Sequence, residues 1–243
     1  MRFTSEQILD DSVIEREFEI GDIPGVLWTP RFTSFLFPLV LLGHPGGSRR
    51  MYPRLAARAS ALTAQGFAAA TIELPGAGDR PVIADTEHAR ADVQRALASG
   101  ERPSEDVIDR LVLPLVDRAV PEWQRTLDAL LDLPEIGGPV GFSGGVIAVG
   151  VRLAAVDPRI VAAGLYAGSF IPRSIIEDAR KVSIPLHVLL QWDDENNDRQ
   201  RSLELFDAFG SPEKTLNANM GGHTGVPQYA GDDANRFFAR HLG

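Results

Sequence analysis

The segment of this chain best suited to chemistry is Gly141-Phe142-Ser143-Gly144-Gly145. A Gly-x-Ser-x-Gly pattern lets a serine be held on a tight, strained strand-to-helix turn, where side chains two positions to either side would collide. A serine hydroxyl is a weak nucleophile near neutral pH. It needs a base, usually a histidine that a carboxylate orients. Of the five histidines, His187 falls inside an apolar stretch and reads as core, His88 lies in a helical insertion, and His241 ends a terminal helix. His223, in Met220-Gly221-Gly222-His223-Thr224, follows the last strand pattern on a glycine-rich loop and is the candidate base. The apolar run Ile184 to Leu190 delivers Asp193, Asp194 and Glu195 at its end, and Asp194 is the candidate acid, with Asp193 as the alternative.

Acyl transfer also needs donors aimed at the developing oxyanion. The Gly144 N–H, directly after the serine, is one candidate. The second comes from His44-Pro45-Gly46-Gly47, where Pro45 has no N–H, so Gly46 is chosen and His44 is expected to shape the loop. Phe142, Trp192 and Met220 flank the three reactive residues and are candidates for a substrate pocket. Arg49, Arg50, Arg54 and Arg58 follow the loop, either as a solvated helix face or as an attractor for an anionic substrate. The acidic cluster Asp193, Asp194, Glu195 and Asp198 has no second cluster to complete a metal site, so no metal is expected.

These residues need a scaffold that brings them to one edge. Val13 to Ile20 and Gly25 to Thr29 read as an N-terminal hairpin. Phe37 to Leu42 is a continuous apolar run, as in a strand buried on both faces, and Leu55, Ala59 and Leu62 recur at helical spacing before a Gly66 cap. Strands follow at Phe67 to Leu74, Pro139 to Phe142, Ile160 to Tyr166, Ile184 to Leu190 and Lys214 to Asn219. Helices fall at Val146 to Val156, Leu203 to Phe209 and Asp232 to His241. Such alternation predicts an α/β fold with a mainly parallel sheet covered on both faces, where ligands gather at the carboxyl ends of the strands. Pro81 to Val120 interrupts it with two helical patterns, near Asp85 to Ala98 and from Ser104 onward, and is expected to be a helical cap of a single domain spanning 1–243.

Composition narrows the function. The chain has 243 residues, 44% of them hydrophobic, which suits one sizeable core. A net charge of −9 disfavours nucleic acid and membrane surfaces as partners. There is no cysteine, which removes a thiol nucleophile, disulfides and thiolate metal sites together. No signal-like apolar segment opens the sequence and no run approaches the roughly 20 residues of a membrane span, so a cytoplasmic location is expected.

The chain resembles the α/β-hydrolases, in particular small bacterial esterases of the dienelactone-hydrolase-like branch. The motifs that carry the resemblance are Leu42-Gly43-His44-Pro45-Gly46-Gly47, Gly141-Phe142-Ser143-Gly144-Gly145, Leu190-Gln191-Trp192-Asp193-Asp194-Glu195 and Gly221-Gly222-His223. The order Ser143, Asp194, His223 is the order of that superfamily's triad. Asn196-Asn197-Asp198 stands where the branch has a hydrophobic-Pro pair. True dienelactone hydrolases use a cysteine, absent here, so the resemblance implies a serine carboxylesterase acting on small esters without a cofactor. A small peptidase of the prolyl-oligopeptidase type and a non-catalytic α/β-hydrolase-fold binding protein are the alternatives. Self-association into a homo-oligomer is left open.

Overall fold

A computed structural model describes residues 1–9, 12–31, 36–195 and 197–243, so Asn196 of the departing tripeptide lies outside the described residues. Among the described residues one sheet contains nine strands, β1 (Arg2–Leu9), β2 (Val13–Ile20), β3 (Ile23–Pro30), β4 (Phe37–Gly43), β5 (Ala68–Ile72), β6 (Ile136–Gly144), β7 (Ile160–Tyr166), β8 (Leu186–Gln191) and β9 (Lys214–Asn219). Their order is β1-β2-β3-β5-β4-β6-β7-β8-β9. The strands from β5 to β9 in that order run parallel, and β1, β2 and β3 extend the sheet in antiparallel fashion. The expected hairpin is β2–β3. β1 adds a strand outside it that sequence patterning does not reveal, because its residues are exposed on both faces and nothing apolar alternates.

Helices cover both faces. α1 (Ser48–Thr63) and α7 (Gln228–Leu242) bury Leu55, Ala59, Leu62, Phe238 and Leu242 against one face of the sheet. α3 (Glu105–Leu131), α4 (Ile147–Val156), α5 (Arg173–Ala179) and α6 (Arg199–Ala208) cover the other, and α2 (Ala84–Ala98) packs on α3. The two helical patterns fall on α2 and the start of α3, where the Ser104 hydroxyl accepts from Val107 N–H and Glu105 and Asp106 occupy the first turn. α3 does not stop at Val120. It runs on past Pro121, because Val116, Ala119, Trp123, Leu127 and Leu130 all bury on the sheet, and that burial outweighs the cost of proline in a helix interior.

β4 is followed by β5 on one side and flanked by β6 on the other, so their shared boundary is a topological switch point. The crossover helices there leave on opposite faces, opening a crevice at the strand ends.

Candidate active site

The switch point brings two glycine turns together. Gly145 has φ +78°, and a Cβ there would lie 2.8 Å from Gly43 Cα; a Cβ on Gly43 would lie 2.9 Å from Gly145 Cα. Only glycine at both positions lets the end of β4 touch the β6–α4 turn.

The sequence pattern expects Ser143 itself on the strained turn. In the structure Ser143 is still within β6, register-paired with Leu42 of β4 and Gly164 of β7, and the left-handed conformation falls on Gly144 (φ +82°) and Gly145. Glycine adopts that region at no steric cost, so the ladder extends one residue past the serine before turning. Ser143 is 4% exposed. Its Oγ accepts from Arg58 Nη2 at 2.8 Å, and the same nitrogen donates to the Ser143 carbonyl at 2.8 Å.

The acid and base loops are tied to each other. The β8–β9 ladder continues beyond both strands through Trp192 N–H to Asn219 O (2.7 Å) and Asp193 N–H to Gly221 O (3.2 Å). The Gln191 side-chain amide adds a bond to Gly222 O at 3.1 Å. This clamp sets His223 opposite Asp194, with Nδ1 2.8 Å from Oδ2. The Asp194 side chain is 3% exposed and the His223 side chain 39%, so a buried carboxylate holds a reachable imidazole. Asn197 Nδ2 also donates to Asp194 Oδ2. Asp193 is exposed.

His44 is buried, and its Nε2 meets Ile72 O at 2.9 Å, anchoring the loop as its sequence position suggests. Beyond Gly46 and Gly47, Ser48 N–H donates to both Glu73 carboxylate oxygens at 3.0 Å and Ser48 Oγ to Oε2 at 2.5 Å. Glu73 is thus the residue that fixes the end of the glycine loop, a role invisible in sequence because the contact joins the residue after β5 to the first residue of α1.

The three pocket candidates separate. Phe142 is a correction: it is 1% exposed and packs edge-to-face on Trp123 at 5.9 Å, on the α3 side of the sheet, because strand alternation turns it away from its neighbour Ser143. Trp192 is half-buried, with the Arg199 guanidinium 4.3 Å above its ring, and Met220 is exposed. The cavities lie elsewhere. One of about 610 Å³ opens between the α2–α3 connection and the segment after β8, lined by Arg102, Ser169, Phe170, Glu195 and Arg201 among others. Another, of about 180 Å³, sits among Ile83, Leu111, Val112, Leu115, Val146 and Phe170. Ser169 and Phe170, shared by both, carry no signal in the sequence. Among the described residues, no group of three or more His, Asp or Glu side chains is placed to hold a metal ion, and no helix is long and apolar enough to cross a membrane.

No family model and no curated protein sequence matches the chain. Solved structures do. A cold-adapted esterase from an Arctic intertidal metagenomic library is 27% identical over 100% of both chains, with a TM-score of 0.78. Acetyl xylan esterase 1 from a Thermoanaerobacterium species is 13% identical, over 98% of this chain and 87% of that one, at TM-score 0.67. A putative dienelactone hydrolase from Klebsiella pneumoniae is 14% identical, over 94% and 98%, at TM-score 0.66. The latter two share the fold. The chain therefore has the α/β-hydrolase fold, and the solved structures it is similar to are esterases and dienelactone hydrolases.

Proposed function

We propose that the protein is a serine carboxylesterase that cleaves small esters through an acyl-enzyme on Ser143, His223 and Asp194. The observation that carries this reading is the His223–Asp194 pair, a buried carboxylate on an accessible imidazole at the carboxyl edge of an esterase-like sheet. His223 Nε2 takes the hydroxyl proton as Ser143 Oγ bonds to the ester carbon, then returns it to the departing alkoxide. Asp194 orients the ring and stabilises the imidazolium. The N–H groups of Gly144 and Gly46 receive the oxyanion. Water activated by His223 then releases the acid, with no cofactor called for. The cavities that share Ser169 and Phe170, next in the chain to the Gly168 that stands beside His223, are the space assigned to the acyl and alcohol groups on this reading, and the partner is a small-molecule ester rather than nucleic acid or membrane. Hydrolysis of p-nitrophenyl acetate by wild type and by Ser143→Ala tests the reading: the variant is expected to lose turnover, and equal rates would refute it.

One observation favours a second reading, a non-catalytic binding protein on the same fold. Ser143 Oγ is bonded to Arg58 and not to His223. Absence of ester turnover in the folded wild-type protein would favour it.

A further inference from the structure

We infer that Arg58, backed by Tyr166, holds the Ser143 hydroxyl out of reaction in the resting protein and sets how fast the nucleophile engages. The inference rests on the serine-esterase reading above.

Arg58 lies in α1 between Leu55, Ala59 and Leu62, all core residues, and its guanidinium reaches across to the strand ends. Nη1 donates to Gly43 O at 3.3 Å, and Nη2 donates to both Ser143 O and Ser143 Oγ at 2.8 Å. These acceptors are all neutral, unlike those of the buried Arg80, which forms a two-pronged pair with Glu122. A half-buried cation spent on a serine hydroxyl is an expensive way to fill space, and its position on that atom is the reason to look for a role there. A charged donor on Oγ occupies a lone pair that attack on an ester requires.

Tyr166 completes the hold. A Cβ at Gly164 would lie 3.7 Å from Ser143 Oγ, and one at Gly168 would lie 3.6 Å from His223 Cε1. The serine and the imidazole therefore stand against two points of the same segment, with Tyr166 between them in the chain. The Tyr166 ring closes over the turn: a Cβ on Gly144 would meet it at 2.8 Å and Arg58 Nη2 at 3.0 Å. Arg58 in turn stacks on that ring, 5.6 Å from its centroid. Transfer of the serine proton to His223 requires this pair to move aside. Loss of Arg58 therefore speeds reaction at Ser143.

The test measures the second-order rate of fluorophosphonate capture at Ser143, mapped by mass spectrometry, together with kcat and KM on p-nitrophenyl acetate. Arg58→Met keeps the length and removes the donors; it is expected to raise capture about tenfold or more, a range set by one hydrogen bond to a charged group. Arg58→Lys is expected to fall back toward wild type. A faster serine is an outcome that mere loss of packing does not produce. Arg58→Gln removes the charge and keeps a polar side chain, and carries the same expectation, so it decides the matter should Arg58→Met fail to fold. Capture at or below the wild-type rate in the folded variant would overturn the inference. With Ser143→Ala inactive, that result removes only the hold by Arg58; with Ser143→Ala fully active, the serine-esterase reading falls and the inference with it.

Discussion

His223 Nδ1 and Asp194 Oδ2 are 2.8 Å apart across two loops that belong to neighbouring parallel strands, and the backbone ladder between β8 and β9 carries on into both loops to hold them there. The imidazole thus has its Nδ1 committed, which leaves Nε2 as the nitrogen that exchanges a proton with substrate.

Asp194→Asn keeps the shape of the acid but presents the wrong hydrogen-bonding pattern to Nδ1. It is expected to lower kcat by about 10² or more with KM little changed, in the range set by general-base catalysis. Steady-state kinetics on a short-chain p-nitrophenyl ester check this. Asp193→Asn, which alters only an exposed carboxylate, is expected to leave both constants near wild type.

Much of the scaffold was legible in the sequence because a strand buried on both faces writes an uninterrupted apolar run. Ile160 to Tyr166 is read to the residue as β7 in this way, whereas the edge strand β9, Lys214 to Asn219, is mostly polar and is read instead from its place after a helix and a glycine. β1 leaves no such mark, and α5, with seven residues, is too short to show a helical period. α3 hides its length behind Pro121, since a local breaker rule knows nothing of the sheet beneath. The pairing of His223 with a carboxylate at the end of β8 was legible from chain order and strand ends, but Asp194 could be preferred to Asp193 only with the help of the family resemblance. Arg58 was not: with Arg50 and Arg54 it makes an i, i+4 stripe that looks solvated, and its contact with Ser143 spans distant parts of the chain.

Glu122 of α3 and Arg80 form a buried two-pronged pair at 2.6 and 2.7 Å, which holds the Arg80 guanidinium firmly charged, and Arg80 also donates to Glu73 O. Glu122→Ala leaves the cation with only the exposed Asp22, 3.6 Å away, as an acidic partner. It is expected to cost about 3 kcal/mol, read as a lower urea midpoint with unchanged slope. A loss within the 0 to roughly 1 kcal/mol of an exposed pair would contradict the buried role assigned to it.

His187 sits on β8 against the Phe237 ring, with Thr215 and Asn217 within hydrogen-bonding reach. Burial pushes its pKa below the ordinary 6.5, and the charge of Asp233 only partly opposes this. The unfolded chain therefore binds a proton first as pH falls. The contribution of His187 is complete above 6.5 and is lost as pH drops below that value toward the lower folded pKa. Thermal unfolding is expected to show Tm falling from about pH 7 to about pH 5, and His187→Gln is expected to flatten part of that slope.

Gly145→Ala places a methyl 2.8 Å from Gly43 Cα in a left-handed backbone. Both strain and collision act at the same turn, so a loss of stability of about 1 kcal/mol or more is expected, with ester turnover falling along with it. Denaturation of the variant and its residual activity per folded molecule separate the two effects.

The central claim is that Ser143 becomes acylated. Its most direct measurement is acid quenching of the wild-type protein during turnover of p-nitrophenyl acetate, followed by peptide mapping of the trapped adduct. An acetyl group on the peptide bearing Ser143, absent from Ser143→Ala, is the result expected; turnover with the acetyl group on another residue, or with none trapped and Ser143→Ala fully active, would contradict it.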